Sequence, residues 1–275
     1  MKQRYRSFRR TIWAFYRKRG RDLPWRRTKD PYKILVSEVM LQQTQVSRVI
    51  PKYRLFLKNF PSVMSFHRAS LRRVLRVWQG LGYNRRALHL KRLAAVVVRD
   101  HKGKLPSDES ALDRLPGIGK GTAGAILAFA FNTPSVFLET NIRRTFIHFF
   151  FKNRRKVLDK EVLPLIEKTL DRKNPREWYS ALMDYGAHLR SGYGGQAIEN
   201  PNRRSAHYAK QSPFRSSNRE LRGRILRLLT RRTRSFEELR RELSISVVRL
   251  RKATRELSDE GFVRMRGHRI GILTK

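Results

Sequence analysis

The chain contains no cysteine. Disulfides, thiolate zinc sites and cysteine-ligated iron–sulfur clusters are therefore excluded. Acidic residues are scarce: 22 Asp and Glu stand against 63 Lys and Arg in 275 residues, a formal charge of +41. Such a field repels itself, and its natural partner is a polyanion, most simply the phosphate backbone of nucleic acid. A merely solubilising surface would mix both signs. No single basic amphipathic helix dominates, which disfavours a membrane surface. Long apolar runs are missing, as is a signal-peptide core at the N-terminus, so a soluble chain is expected that is neither membrane-bound nor secreted. Apolar residues are not lacking: at 40% of the chain they suffice for a packed core.

Helical spacing of apolar residues runs through the first two thirds. Phe8, Ile12, Phe15 and Tyr16 mark a helix over Ser7–Arg19, which Asp22-Leu-Pro-Trp25 breaks. Pro31 opens a second, with Ile34, Leu35, Val39 and Met40 toward a core. Further helices are expected over Val46–Phe56, Leu71–Trp78, Arg86–Asp100, Glu109–Asp113, Gly121–Phe131, Asn141–Phe150, Lys160–Leu170 and Arg176–Leu189, parted by Gly, Pro or Asn. The main body reads as all-α. Gly, Ser, Asn, Gln and Arg then dominate Ser191–Ser217, and a loop or linker is expected there. From about Asn218, three helices precede a hairpin of Phe262–Met265 and Ile270–Leu273, the layout of a winged helix. Its third helix carries Arg249, Arg251, Lys252 and Arg255, which could meet DNA in the major groove; a protein-docking module is the alternative.

Between two apolar helices lies Leu115-Pro-Gly-Ile-Gly-Lys-Gly-Thr122. Gly117 and Gly119 permit a tight turn with converging amides, and the next helix presents its N-terminus there. Leu115, Gly117, Ile118, Gly119, Lys120, Gly121 and Thr122 thus form a candidate site for one DNA phosphate. Carbonyls of the same turn could hold a monovalent cation. A P-loop is excluded because Lys120 precedes Gly121, and a dinucleotide fingerprint because position 122 is Thr and no strand precedes the turn.

Leu23-Pro-Trp-Arg26, Pro31-Tyr32, Ser37-Glu-Val-Met-Leu-Gln-Gln-Thr-Gln45, Gly80-Leu-Gly-Tyr83, Leu115-Pro-Gly-Ile-Gly119 and Thr122-Ala-Gly-Ala-Ile126 follow one another along the chain. Together they resemble the helix-hairpin-helix DNA glycosylase superfamily, and within it the MutY-type adenine glycosylases, over about Phe8–Arg190. The resemblance implies a two-lobed all-α fold over 1–190, with a flipped base and its DNA between the lobes. Lobe one would span about 23–135, and lobe two 1–22 plus 136–190. Residues 191–217 would be a basic loop where relatives hold a [4Fe–4S] cluster, and 218–275 a winged-helix-like α+β module. Arg190 stands where the first cluster cysteine would be, so no cluster is expected. The tail does not resemble the domain with which relatives read 8-oxoguanine.

Breaking the bond between base and deoxyribose needs an acid for the leaving base and a carboxylate to stabilise the cationic sugar. The resemblance assigns the acid to Glu38, in an apolar helix where burial would raise its pKa. The alternative is an exposed helix-face Glu beside Ser37 and Gln42. The carboxylate falls on Glu139, where the family has Asp, with Asn141 matching the family's Asn. Glu is one methylene longer, a displacement of roughly 1–1.5 Å that can lower a rate about a hundredfold. The pocket has adjusted, activity is weak, or the substrate differs; alternatively Glu139 only caps a helix. Gly121 occupies the position of the nucleophilic Lys of bifunctional relatives, and Lys120 is turned about 100° away, which implies a monofunctional enzyme without lyase activity. Arg26, Tyr32, Gln42, Gln43 and Tyr83 match base-pocket and opposite-base positions, while Asn84 replaces a second aromatic. The histidines lack metal-ligand spacing. The expected activity is removal of adenine mispaired with 8-oxoguanine or guanine in double-stranded DNA, by a monomer found with the DNA in the cytoplasm or nucleoid. Its alternatives are a thymine/uracil mismatch glycosylase and a non-catalytic DNA-binding member.

Overall fold

A computed structural model describes residues 2–191, 200–209 and 213–273. Of the expected 191–217 loop, residues 192–199 and 210–212 lie outside the described ones. The chain runs α1 (Lys2–Arg19), α2 (Pro31–Leu41), α3 (Val46–Asn59), α4 (Val63–Arg68), α5 (Leu71–Trp78), α6 (Arg85–Asp100), α7 (Glu109–Asp113), α8 (Lys120–Phe131), α9 (Thr140–Phe150), α10 (Asp159–Thr169) and α11 (Pro175–Ser191). Then follow α12 (Asn218–Arg231), β1 (Arg234–Ser235), α13 (Phe236–Leu243), α14 (Val247–Asp259), β2 (Val263–Arg266) and β3 (Arg269–Ile272). A mostly helical body with a small C-terminal α+β part is the expected class.

Side-chain caps set many of the helix starts. Asp30 accepts from the amides of Tyr32 and Lys33 just before Pro31. Ser62 and Ser65 cap α4 reciprocally, Ser235 and Glu238 do so for α13, and Ser246 caps α14. Helix α4 is an addition to the elements expected from sequence. It has only six residues between Pro61 and Ser70, too few for a period to register. Strand β1 is a second addition: two residues that are a strand only because β3 pairs with them.

The chain forms two compact units, each described by itself. One comprises Met1–Ile34, Ser107–Arg114 and Ile118–Lys210; the other Leu35–Pro106, Leu115–Gly117 and Gln211–Lys275. Of the expected lobe over 23–135, residues 23–34, 107–114 and 118–135 group with the first unit instead. Helix α8 joins α9 and α11. It is apolar on all sides, with Ala123–Ala130 buried throughout, so its pattern does not say which neighbours it packs on. The C-terminal module joins α3–α6.

In the first unit Phe8 of α1 meets Phe146 and Phe150 of α9 and Trp178 of α11, with ring centroids 5.1, 5.1 and 5.9 Å away. A Cβ on Gly186 would lie 2.1 Å from the Asn141 carbonyl oxygen, so glycine lets α11 approach the backbone at the start of α9. Part of the expected loop is built into this unit. Asn202 is buried, its side-chain amide donating to the Thr140 carbonyl, and Val157 pairs with Ser205.

In the second unit Phe56, Phe60, Phe66 and Trp78 form the core of α3–α5. The module's sheet has the order β1-β3-β2, antiparallel throughout. It docks by giving the last carbonyls of α12 cationic partners: Arg72 donates to Leu229 O and Arg76 to Thr230 O, while Gln79 donates to the Thr230 hydroxyl.

Candidate active site

Glu38 lies on α2 in the second unit, part-buried between the buried Ser37 and Val39. Gln42 and Gln43 follow at the end of α2, and Gln43 takes the left-handed conformation with φ 54°. Tyr83 does the same, with φ 46°, in the Gly80-Leu-Gly-Tyr83 turn. Each such non-glycine turn stores about 1 kcal/mol or more and persists only where its surroundings over-determine it.

One residue supplies that determination for both turns. The Arg86 guanidinium is buried and donates to the carbonyls of Val39, Met40 and Gln42, to the Thr44 hydroxyl, and to the carbonyls of Leu81 and Gly82. It closes the C-terminal end of α2 and ties it to the turn at 80–83. Its guanidinium carbon sits 5.6 Å from the Trp78 ring and 5.4 Å from the Tyr83 ring. Burial lowers its pKa to about 10, so it stays charged at neutral pH. Arg86 has no distinguishing sign in the sequence, where it is one of 63 basic residues. A second arginine reaches the same turn from α12: Arg219 donates to the Tyr83 hydroxyl at 2.6 Å and lies over its ring.

Glu139 and Asn141 belong to the first unit. Glu139 is the N-cap of α9. Its Oε1 accepts from the amides of Asn141 and Ile142 at 2.7 and 2.8 Å, and its Oε2 from the Asn141 side-chain amide at 3.2 Å. The Asn141 side-chain oxygen (Oδ1) in turn accepts from Arg144, which also donates to the Asn200 side chain and to Gly186 O. Some of the Glu139 residue surface stays accessible, but burial of its carboxyl is the largest influence and raises its pKa. The two amide hydrogen bonds and the charges of Arg144 and Arg143 oppose that rise. The result is a carboxylate with three donors aimed at it that is nonetheless easier to protonate than a free one.

Arg26 makes a two-pronged contact with Asp184, both oxygens at 2.8 Å, and Arg21 adds its Nε and its amide. Burial would raise the Asp184 pKa, but these donors outweigh it and hold the carboxyl below the usual range. The arginine thus ties the stretch before α2 to α11. Tyr32 is buried at 5% exposure, and Trp25 is buried with it.

In the hairpin, Leu115 and Ile118 are buried, while Gly117, Gly119, Lys120 and Gly121 are exposed. Gly117 has φ 81°, and a Cβ there would lie 2.6 Å from the Cβ of His89. Helix α8 starts at Lys120, one residue before the expected Gly121, and its N-cap Gly119 brings no side chain over the helix end. The Gly119 carbonyl closes the first turn by accepting from the amides of Thr122 and Ala123. The exposed N-terminal turn of α8 suits an anion. Among the described residues no group of three or more His, Asp or Glu could hold a metal ion, and no helix is long and apolar enough to cross a membrane.

A family model described as HhH-GPD superfamily base excision DNA repair protein matches residues 36–170. The adenine DNA glycosylase of Buchnera aphidicola subsp. Baizongia pistaciae (strain Bp) is 40% identical over 182 residues, 66% of this chain and 52% of that protein. The chain therefore spans about half the length of that relative. The adenine DNA glycosylase of Mycobacterium tuberculosis (strain CDC 1551 / Oshkosh) is 32% identical over 256 residues, 86% of this chain and 82% of its own. Among solved structures, a thermostable thymine-DNA glycosylase aligns with TM-score 0.61 and 28% identity, over 68% of this chain and 87% of that one.

Proposed function

Because the chain belongs to the HhH-GPD superfamily of base excision DNA repair proteins, and to its MutY-type branch, we propose that it is a monofunctional DNA N-glycosylase that removes adenine mispaired with 8-oxoguanine or guanine. The observation that carries this reading is the Glu139 carboxylate, held at the start of α9 by two backbone amides and the Asn141 side chain. A fixed negative group of this kind stabilises a cationic sugar. Glu38 acts as the acid. The electron pair of the bond between C1′ and the base leaves with adenine, which takes a proton from Glu38. Water then adds to C1′, and the proton it releases restores Glu38.

Gln42, Gln43 and Tyr83 occupy the space of the flipped base and contact its former partner, on turns that Arg86 holds in register. Arg26 and Tyr32 are assigned to the pocket wall. The exposed amides at Gly119–Gly121 receive one DNA phosphate, with Lys120 beside it. Gly121 offers no nucleophile, so the reaction stops at the abasic site. The substrate is double-stranded DNA, bound by a monomer.

The likeness to the thermostable thymine-DNA glycosylase favours a second reading, in which thymine or uracil opposite guanine is the base removed. One assay separates the readings. Duplexes bearing A:8-oxoG, A:G, T:G or U:G are incubated with the protein and then treated with alkali. Strand breaks that need alkali, in the A-containing duplexes and lost in Glu38→Gln, are the expected result. Breaks in T:G or U:G support the second reading. Binding without breaks in any duplex supports a non-catalytic scaffold, and breaks before alkali overturn the monofunctional assignment.

A further inference from the structure

The C-terminal module carries basic residues that lie outside the proposed excision site. Its elements run α12, β1, α13, α14, β2, β3, with β3 between the other strands, which is a winged-helix arrangement. Helix α14 buries Leu250, Ala253, Thr254 and Leu257 and exposes Val248, Arg251, Lys252 and Arg255. The exposed positions recur at three- and four-residue spacing and so form one stripe along the helix. The β2–β3 hairpin packs on α14 and α12 through buried Val263, Ile270 and Ile272 and carries Arg264, Arg266 and Arg269 exposed on its outer side.

None of these six cations is in an ion pair among the described residues, whereas the module's acids are mostly occupied. Glu237 pairs with Arg240, Glu238 with Arg232 and Glu242 with Arg234. Glu256 and Glu260 pair with Arg222, and Glu260 also with Arg85 of α6. Asp259 is the acid left exposed near the stripe, at the last residue of the helix. The pairing thus removes negative charge from the surroundings of the stripe and leaves a concentrated positive surface.

We propose that the module is a second duplex-binding surface, with α14 in the major groove, its Arg251, Lys252 and Arg255 reaching the phosphates that flank the groove, and the β2–β3 hairpin on the next phosphates. Charge complementarity names the partner, because exposed Arg and Lys outside any ion pair, along a helix and on the hairpin packed beside it, suit the polyanionic backbone of a duplex. Val248, 78% exposed in the first turn of α14, supplies an apolar side chain suited to a thymine methyl group. The docking of α12 on α5 and the clamp on Glu260 fix this surface relative to α5 and α6. A duplex held by α14 is therefore held at a constant offset from the turn that carries Tyr83.

The test uses the full chain, undamaged duplex DNA and fluorescence anisotropy between about 50 and about 200 mM salt. Undamaged duplex keeps the result independent of whether the protein excises adenine. In Arg251→Ala/Lys252→Ala/Arg255→Ala, loss of three phosphate contacts should flatten the plot of log affinity against log salt by about 2.7, near 0.9 for each contact. Affinity at the lowest salt should fall at least tenfold. Arg264→Ala/Arg266→Ala, on the other side of the surface, should flatten the same plot by about 1.8. All five residues are exposed, and an unchanged melting temperature verifies that the variants fold. Unaltered slope and affinity in both variants overturn the proposal, as does a change confined to thermal stability.

Discussion

Truncating Arg86 should damage both the stability of the fold and the rate of excision. Its two terminal nitrogens share four N–H hydrogens among five carbonyls and one hydroxyl, while its Nε–H is buried without a partner. Burial lowers its pKa from 12.5 to about 10, a cost near 3 kcal/mol at about 1.36 kcal/mol per unit. The shared hydrogen bonds offset that cost, and breaking a buried charged contact of this kind loses roughly 3–5 kcal/mol. Arg86→Ala should therefore lower Tm by roughly 10 °C, at about 2–4 °C per kcal/mol for a chain of this size. Urea midpoints should fall in parallel. Arg86→Lys should recover only part of the loss, because a point charge cannot reach both turns at once. With the carbonyls of Gln42 and Gly82 released, Gln43 and Tyr83 relax from their left-handed conformations, and single-turnover excision should fall at least tenfold even below the new Tm. An Arg86→Ala protein that melts within about 2 °C of the parent and excises at the parent rate would refute the reasoning.

Three further outcomes follow from the same contacts. Glu139 has a raised pKa from burial, so if its charge is needed, the acid limb of the single-turnover rate should lie above 4.5, and a limb below that value would sink the assignment. For stability the sign is the reverse: the raised pKa favours the protonated fold, so this contribution is full below pH 4.5 and is lost as pH rises through the folded value. Gly117→Ala combines positive φ with a collision against His89, and should cost about 2 kcal/mol while weakening duplex binding; circular-dichroism melts and anisotropy would register both. Arg219→Ala removes the hydrogen bond and the ring contact to Tyr83, and should lower stability by about 1–2 kcal/mol. If the module steadies that turn, it should also change the ratio of excision rates opposite 8-oxoguanine and guanine, and an unchanged ratio would limit the contact to packing.

Much of the helical framework was legible because it depends on local spacing. Phe8, Ile12 and Phe15 repeat at helical intervals, and caps such as Ser235 with Glu238 lie within one turn. The same locality made the hairpin at Leu115–Thr122 and the winged-helix order readable. Arg86, Arg144 and Asp184 were not legible, because nothing near them in sequence distinguishes a charge that will be buried. Each has partners about 40 to 160 residues away, as with Arg86 and Met40, Arg144 and Gly186, or Asp184 and Arg26.

The sequence by itself therefore set the composition of the binding problem and the terms of the proposed chemistry. A charge of +41 calls for a polyanion, the absence of cysteine removes the cluster, and Gly121 withholds a nucleophile. Only the tertiary structure decided how the candidate groups are held. It made Glu139 an N-cap with a raised pKa, gave both strained turns to one buried guanidinium, and set the C-terminal module against α5 and α6. Burial and long-range hydrogen bonds exist only once distant segments have met, and so leave no local trace in the chain.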